Sequence, residues 1–307
     1  MFARVLSQPE PASVPEYQQH VLIKLNAPEG HAARERGHGS WWQAFVEKEP
    51  SVFEAFKALA KHQDAVNSTV KITAFDDVGF RQQPAVPGTC DVIAFPEGVR
   101  YRNLPLTSLG DVVLHAVADN PAELPPLHKD VQKLQEDVPE VVLLVCCHGA
   151  RDARCGAVGP TLAAKLLSLV RSQDLQDRIK VYKTSHVGGS KYAGNVLVFG
   201  AIHPCDGDWF GGLNADNAAE FLESLVHVEI GTDGGAEDLV LRQWWRGRMG
   251  LAKEEQRGLW EQGGGIENWE GAEGADEEED EGEWQVEEGS MGDEEVERLL
   301  GQPKPRQ

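Results

Sequence analysis

The apolar positions of this 307-residue chain fall into short runs, some with the two-residue period of a strand and others with a helical period. Residues 20–25 (HVLIKL) are branched and apolar, with a polar stop at Asn26-Ala27-Pro28, and predict a strand. Residues 29–40, rich in Gly, His and Arg, read as a loop. From 41 to 62 the apolar residues Trp42, Phe45, Val52, Phe53, Phe56 and Leu59 recur at helical spacing, with Pro50 ending one helix and letting another begin. Residues 70–75 (VKITAF) alternate as a strand. Residues 91–95 and 99–101 flank Pro96-Glu97-Gly98 as a hairpin, and Ser108 caps a helix reaching Ala118. After a proline-rich connection at 119–126 come a helix at 127–137 stopped by Pro139 and a strand at 141–146. Pro160 then opens a helix over 161–172, followed by strands at 179–184 and 195–199, a turn at 201–208, a strand start at Trp209-Phe210 and a helix at 215–226. A further helix is predicted over 238–249 (DLVLRQWWRGRM), packing Trp244 and Trp245 onto the body.

The two halves echo one another. Each runs strand, loop, helix, strand, loop, hairpin, helix, and GTCDVIAF (88–95) holds the place that AGNVLVFG (193–200) holds later. A βαβ unit followed by a ββα unit is the order of a thioredoxin-like domain. The fold class is therefore α/β, with tandem thioredoxin-like domains and a disordered acidic C-terminal tail. The expected boundaries are a flexible lead-in at 1–16, domains at 17–118 and 127–257 joined by 119–126, and the tail at 258–307.

Charge supports that division. Net charge is −21, and residues 258–307 hold 17 acidic against three basic residues, a net −14 that leaves −7 for the rest. The tail, Gly- and Glu-rich with isolated Trp260, Trp269 and Trp284, cannot bury a core and reads as a disordered spacer or a docking segment, with a short helix near 296–300. An acidic body and a polyanionic tail argue against nucleic acid. The longest apolar run, 141–147, is far short of the roughly 18 residues that span a bilayer, so no membrane partner is expected. Residues 1–18 carry no signal-like apolar stretch, which predicts a cytoplasmic protein.

Chemistry concentrates in 141–195. An apolar strand ends in Cys146, Cys147 and His148, and a polar loop then carries Arg151, Asp152, Arg154 and Cys155. A second strand leads to Ser185, His186 and the pair Gly188-Gly189. Strand ends are where open α/β sheets bind ligands, and thiolate with imidazole suits transition metals. Five cysteines, three of them within ten residues, point to metal-binding or reactive thiols rather than a disulfide framework. Taken singly, Cys146 could equally be a buried small hydrophobe and His148 a supporting residue. Cys90 reads as structural.

Two runs, Cys146-Cys147-His148-Gly149-Ala150-Arg151-Asp152-Ala153-Arg154-Cys155-Gly156 and Ser185-His186-Val187-Gly188-Gly189-Ser190-Lys191-Tyr192-Ala193-Gly194-Asn195, resemble the sucrase/ferredoxin-like family, as does 241–256. The resemblance covers roughly 17–257. It implies a [2Fe–2S] ferredoxin-like domain that carries electrons to a redox partner protein and catalyses no reaction itself. By it, Cys146 and Cys155 hold one iron and His186 the other, Gly188 and Gly189 admit the backbone close to the cluster, and Arg151 and Arg154 offset its charge. The family's second histidine lies four residues beyond the first, where this chain has Ser190. Ser190 itself, Cys205, His203 and Cys147 are the candidates for that position, and a labile or absent cluster is the alternative. Rival readings are a thiol redox protein using Cys146 or Cys155 and a cluster-free adaptor that docks through its tail.

Overall fold

Most strands are buried along nearly their whole length because both faces of the sheet are covered. In the computed structural model, described over residues 9–26, 69–77, 86, 88–118, 120–137, 140–149, 151–228 and 231–263, the strands are β1 (Gln19–Asn26), β2 (Val70–Asp76), β3 (Thr89–Phe95), β4 (Val99–Pro105), β5 (Gln135–Asp137), β6 (Val141–Cys146), β7 (Ile179–Thr184), β8 (Val196–Phe199), β9 (Asp208–Phe210) and β10 (Trp245–Arg248). The described α-helices are α1 (Leu109–Val117), α2 (Lys129–Gln132), α3 (Ala153–Ser172), α4 (Ala218–His227) and α5 (Lys253–Gln262). This is a mixed α/β architecture. All ten strands share one sheet, in the order β10-β9-β8-β6-β7-β2-β1-β3-β4-β5.

Four strands repeat their arrangement in each half. β1 lies parallel to β2 and antiparallel to β3, which pairs antiparallel with β4. β6 likewise lies parallel to β7 and antiparallel to β8, which pairs antiparallel with β9. The groups meet where β2 runs antiparallel beside β7, with Phe75 opposite Thr184 and Asp76 opposite Lys183. Successive side chains of a strand leave opposite faces. Val21, Ile23 and Val92 therefore pack with Val112 and Val113 of α1, and Leu143, Val145 and Val198 with Leu166 of α3 and Phe221 of α4. The other face gathers Leu22, Phe75, Ile93, Leu144, Leu197 and Trp209 with Val14 and Tyr17.

Most predicted elements have counterparts, and the exceptions have physical causes. Helix α3 begins at Ala153 and contains Pro160, whereas proline was expected to open it. Asp152 caps it by accepting the Arg154 backbone N–H at 2.8 Å, and the helix tolerates the loss of the bond to the Gly156 carbonyl that Pro160 cannot make. The helix expected over 127–137 is one turn, α2, followed by β5, which pairs with the edge of β4. The helix expected over 238–249 is a 3₁₀ turn and then β10. Gly247 there has φ +147°, and Asp208 accepts hydrogen bonds from Trp245 Nε1 at 2.9 Å and Arg248 Nε at 2.7 Å, which an extended backbone permits. Both tryptophans are buried as expected. Residues 9–16, read as a flexible lead-in, are held: Val14 is buried, and Ser13 N–H donates to the Arg246 carbonyl at 2.9 Å. Trp260, assigned to the tail, stacks on Trp245 from α5. The expected helices over 41–62, the loop at 29–40 and the tail beyond 263 lie outside the described residues.

Candidate metal centre

The site starts from a register. β6 and β7 are parallel with Cys146 opposite Thr184, so the chain leaves both strands at the same end of the sheet, and 147–152 and 185–195 emerge side by side. Alternation sends Cys146 to the face that holds Cys155 and Val187, and Cys147 to the opposite core with Leu143 and Leu162. Cys147 is thus a buried hydrophobe whose thiol burial holds protonated. Cys205 lies in that same opposite core, and His203 donates through Nε2 to the Leu225 carbonyl and accepts the Cys205 N–H at Nδ1, both at 3.1 Å. None of these three shares the site with Cys146. Cys90 packs in the first half.

Two glycines seat α3 on the strand end. A Cβ on Gly159 would stand 2.0 Å from the Cys146 carbonyl oxygen, and one on Gly156 would stand 2.5 Å from Gly149 Cα. Only the missing side chains let the first turns lie this close, and that approach puts the Cys155 thiol next to Cys146. Both cysteines are fully buried. Cys146 ionises far more readily than an ordinary thiol, because the Cys155 S–H donates to it; burial opposes this and the His186 ring assists. The same hydrogen bond, together with burial, holds the proton on Cys155. The pair thus has the character of a single shared thiolate.

His186 completes the group. Its backbone N–H donates to His148 Nδ1 at 3.2 Å, and burial, then the charges of His186 and Arg151, push His148 down to about 4. His148 is accordingly a neutral acceptor that orients the His186 backbone. Ser185 ties the loop to the first half, its N–H donating to the Ala74 carbonyl and its Oγ accepting the Ala74 N–H, both at 3.0 Å. Neither ring nitrogen of His186 has solvent exposure or a well-formed hydrogen bond, and the ring faces only the thiols, Cys146 above all. The Sγ atoms of Cys146 and Cys155 and one imidazole nitrogen of His186 all lie within 4.8 Å of one another.

The remaining predicted residues frame this group. Gly188 and Gly189 have φ of +96° and +64°. A Cβ on Gly189 would sit 2.3 Å from Arg246 Nη2, whereas one on Gly188 would meet nothing within 4 Å. Gly189 therefore makes way for an arginine. Ser190 is buried, and its Oγ accepts from Arg154 Nη2 at 2.6 Å. Arg154 in turn forks onto Asp152, through Nε at 3.0 Å and Nη2 at 2.7 Å. That guanidinium holds the Asp152 carboxyl far below the usual carboxylate range. Arg151 is exposed at the rim.

Sequence reasoning missed Arg246 and Asn195. Arg246, on β10, donates to Asn195 Oδ1 at 2.7 Å and to Ser13, and Asn195 Nδ2 donates to the Gly189 carbonyl at 3.0 Å. The guanidinium lies over Tyr192, 4.7 Å from the ring centroid. An arginine inside an apolar, Trp-rich stretch was the one local sign, and the expected helix over 238–249 concealed it.

An ion held at about 2.3 Å from sulfur and 2.0–2.1 Å from nitrogen needs donors roughly 3.5–4 Å apart, so small side-chain adjustments would close this triad on a single thiophilic ion. A [2Fe–2S] cluster held by four protein donors does not fit. The fourth position that the resemblance implies is Ser190, a hard hydroxyl engaged by Arg154.

A model of sucrase/ferredoxin-like proteins matches residues 11–247. Curated relatives carry the name "Altered inheritance of mitochondria protein 32". That of Meyerozyma guilliermondii is 25% identical over 42% of this chain and 46% of its own length. The Candida glabrata protein is 34% identical over 30% and 32%, and the Clavispora lusitaniae protein 27% identical over 64% and 70%. The chain spans less than half the length of the first relatives it matches. No solved structure matches it. These names overturn the expected electron carrier: they describe inheritance of mitochondria, with no support for iron–sulfur chemistry or electron transfer, nor for the thiol-redox and adaptor readings. Among the described residues no helix is long and apolar enough to cross a membrane.

Proposed function

Because the chain belongs to the sucrase/ferredoxin-like family, we propose that it is a metal-binding protein of mitochondrial maintenance, with a single thiophilic ion between Cys146, Cys155 and His186 on two thioredoxin-like halves. The observation that carries the reading is the His186 ring, with both nitrogens buried and no partner except the two buried thiols of the site itself. A buried polar atom without a partner costs about 1–3 kcal/mol, and an ion would remove that cost at the nitrogen it binds while taking the negative charge of the thiolates. Soft sulfur with imidazole selects zinc or copper over magnesium or calcium. The thioredoxin-like halves are supported by the repeated pairing of four strands, parallel on one side of the first and antiparallel on the other. The mitochondrial role comes from the relatives' printed names, which make the mitochondrion rather than the cytosol the compartment to examine.

Metal and sulfide analysis of anaerobically purified protein tests the site. The expected content is about one zinc- or copper-class ion per chain without inorganic sulfide, lost in Cys146→Ser, Cys155→Ser and His186→Ala. Iron accompanied by sulfide, or full metal content in His186→Ala, refutes it. Organelle fractionation, and rescue of mitochondrial inheritance in a yeast lacking its own relative, tests the role: rescue by wild type and failure by Cys146→Ser are expected.

A further inference from the structure

We propose that the ion at this centre keeps its fourth position open and takes a small external thiolate there. This deepens the metal reading and rests on it. Structural zinc-type sites are closed by four protein donors, whereas sites with three protein donors leave a position for an exchangeable ligand. Here the described residues bring three soft donors together, Cys146, Cys155 and His186. Ser190, where the family resemblance expects a fourth donor, has its Oγ engaged by Arg154, itself clamped by Asp152. Arg154 fixes Ser190 as a spectator, and a hydroxyl is in any case a poor donor to a thiophilic ion.

Access and charge select the class of ligand. The His186 loop reaches the surface at Gly188 and Gly189, both partly exposed, and a Cβ at Gly188 would meet nothing within 4 Å. That open space beside Gly188 is the side from which a slim ligand would enter. Both protein sulfurs lie in an apolar core with Val187 and Leu144, where a soft, weakly hydrated anion is favoured over water. Arg151, exposed beside the site, adds positive charge there, whereas the charge of Arg154 is neutralised by Asp152. An anionic low-molecular-weight thiol such as glutathione meets all three conditions. Binding forms one metal–sulfur bond, and the thiol proton passes to solvent, so no oxidant or reductant is required.

Cobalt(II) replaces the native ion as a spectroscopic probe in the full chain. Glutathione is titrated into the cobalt protein, with 2-mercaptoethanol as the thiol without carboxylates, and cobalt retention is checked by gel filtration. The sulfur-to-cobalt charge-transfer band is expected to rise by roughly half as two thiolates become three, with glutathione binding the tighter of the two. X-ray absorption of the same sample should count the added sulfur. In Ser190→His a histidine fills the position, and cobalt should bind without responding to thiol; Ser190→Ala should respond like wild type. Cobalt bound by wild type but indifferent to both thiols, or Ser190→His that still forms the adduct, overturns the open position while leaving the metal reading intact. A chain that binds no cobalt overturns both.

Discussion

Arg246 sets up a contest between stability and site geometry that Arg246→Met should expose. The side chain is 1% exposed, with Nη1 on Asn195 Oδ1 and Nε and Nη2 on Ser13. Burial pulls its pKa well down from the ordinary arginine value, to about 10, so at about 1.4 kcal/mol per pH unit keeping it charged costs roughly 3 kcal/mol. Methionine removes that cost but leaves Asn195 Oδ1 and the Ser13 carbonyl without a donor, about 1–3 kcal/mol each. The two effects largely offset, for a net loss of about 1–2 kcal/mol. The loop carrying His186 has no such compensation. It loses the Arg246–Asn195–Gly189 chain of contacts, and supporting residues of this kind are worth roughly 10–100-fold in metal affinity. Urea unfolding of metal-free protein and chelator competition for zinc separate the two quantities. Arg246→Lys keeps the charge but cannot span Asn195 and Ser13 with one ammonium, so its affinity should fall between the others. A loss above about 4 kcal/mol with unchanged zinc affinity would show that Arg246 is a brace for the fold alone.

Gly159→Ala inverts the usual helix preference. Alanine normally stabilises a helix interior by about 1 kcal/mol, but here its Cβ would strike the Cys146 carbonyl, so thermal unfolding should show destabilisation of about 1–3 kcal/mol together with weaker metal binding; a stabilised variant contradicts the seating of α3. Trp260→Ala should cost about 3 kcal/mol in urea titration, because the ring stacks on Trp245 and lies 4.4 Å from the Arg242 guanidinium carbon. Leu239→Ala, at a side chain 86% exposed, serves as the near-neutral control, and equal effects would return Trp260 to the tail. Burial, then the charge of Lys71, pushes the His20 imidazole well below its ordinary range. The folded state therefore binds fewer protons than the unfolded one, and this contribution to stability is present above about pH 6.5 and declines as pH falls below it. His20→Gln should flatten that slope between about pH 6.5 and 5, and an unchanged slope would mean His20 titrates normally in the fold.

Strands were legible wherever branched residues sat between turn signals, because the short period and the stops carry the information locally. β1, β2, β6 and β7 all fall within two residues of the sequence reading. The site was legible to the extent that Cys146, Cys155 and His186 lie on motif runs. What could not be read is long-range. Gln135, shortly before Pro139 in sequence, becomes strand only because the edge of β4 is beside it, and 245–248 becomes β10 because Asp208, far away in sequence, receives Trp245 and Arg248. Pro160 misled for a different reason. Asp152 carries a stronger helix start than proline does, and the glycines that let the early turns dock also looked like loop residues.

The seam between β2 and β7 has a bearing on ancestry. Only two residue pairs join the two strand groups there, yet Ala74 of the first group holds Ser185 of the second through both its N–H and its carbonyl. The histidine-bearing loop is thus moored to the neighbouring repeat. If the halves arose by duplication, the second copy surrendered its independence at that mooring, and gene rearrangements that transplant it alone would leave His186 adrift. Such a dependence favours inheritance of the pair as one unit over recombination of either half into other proteins.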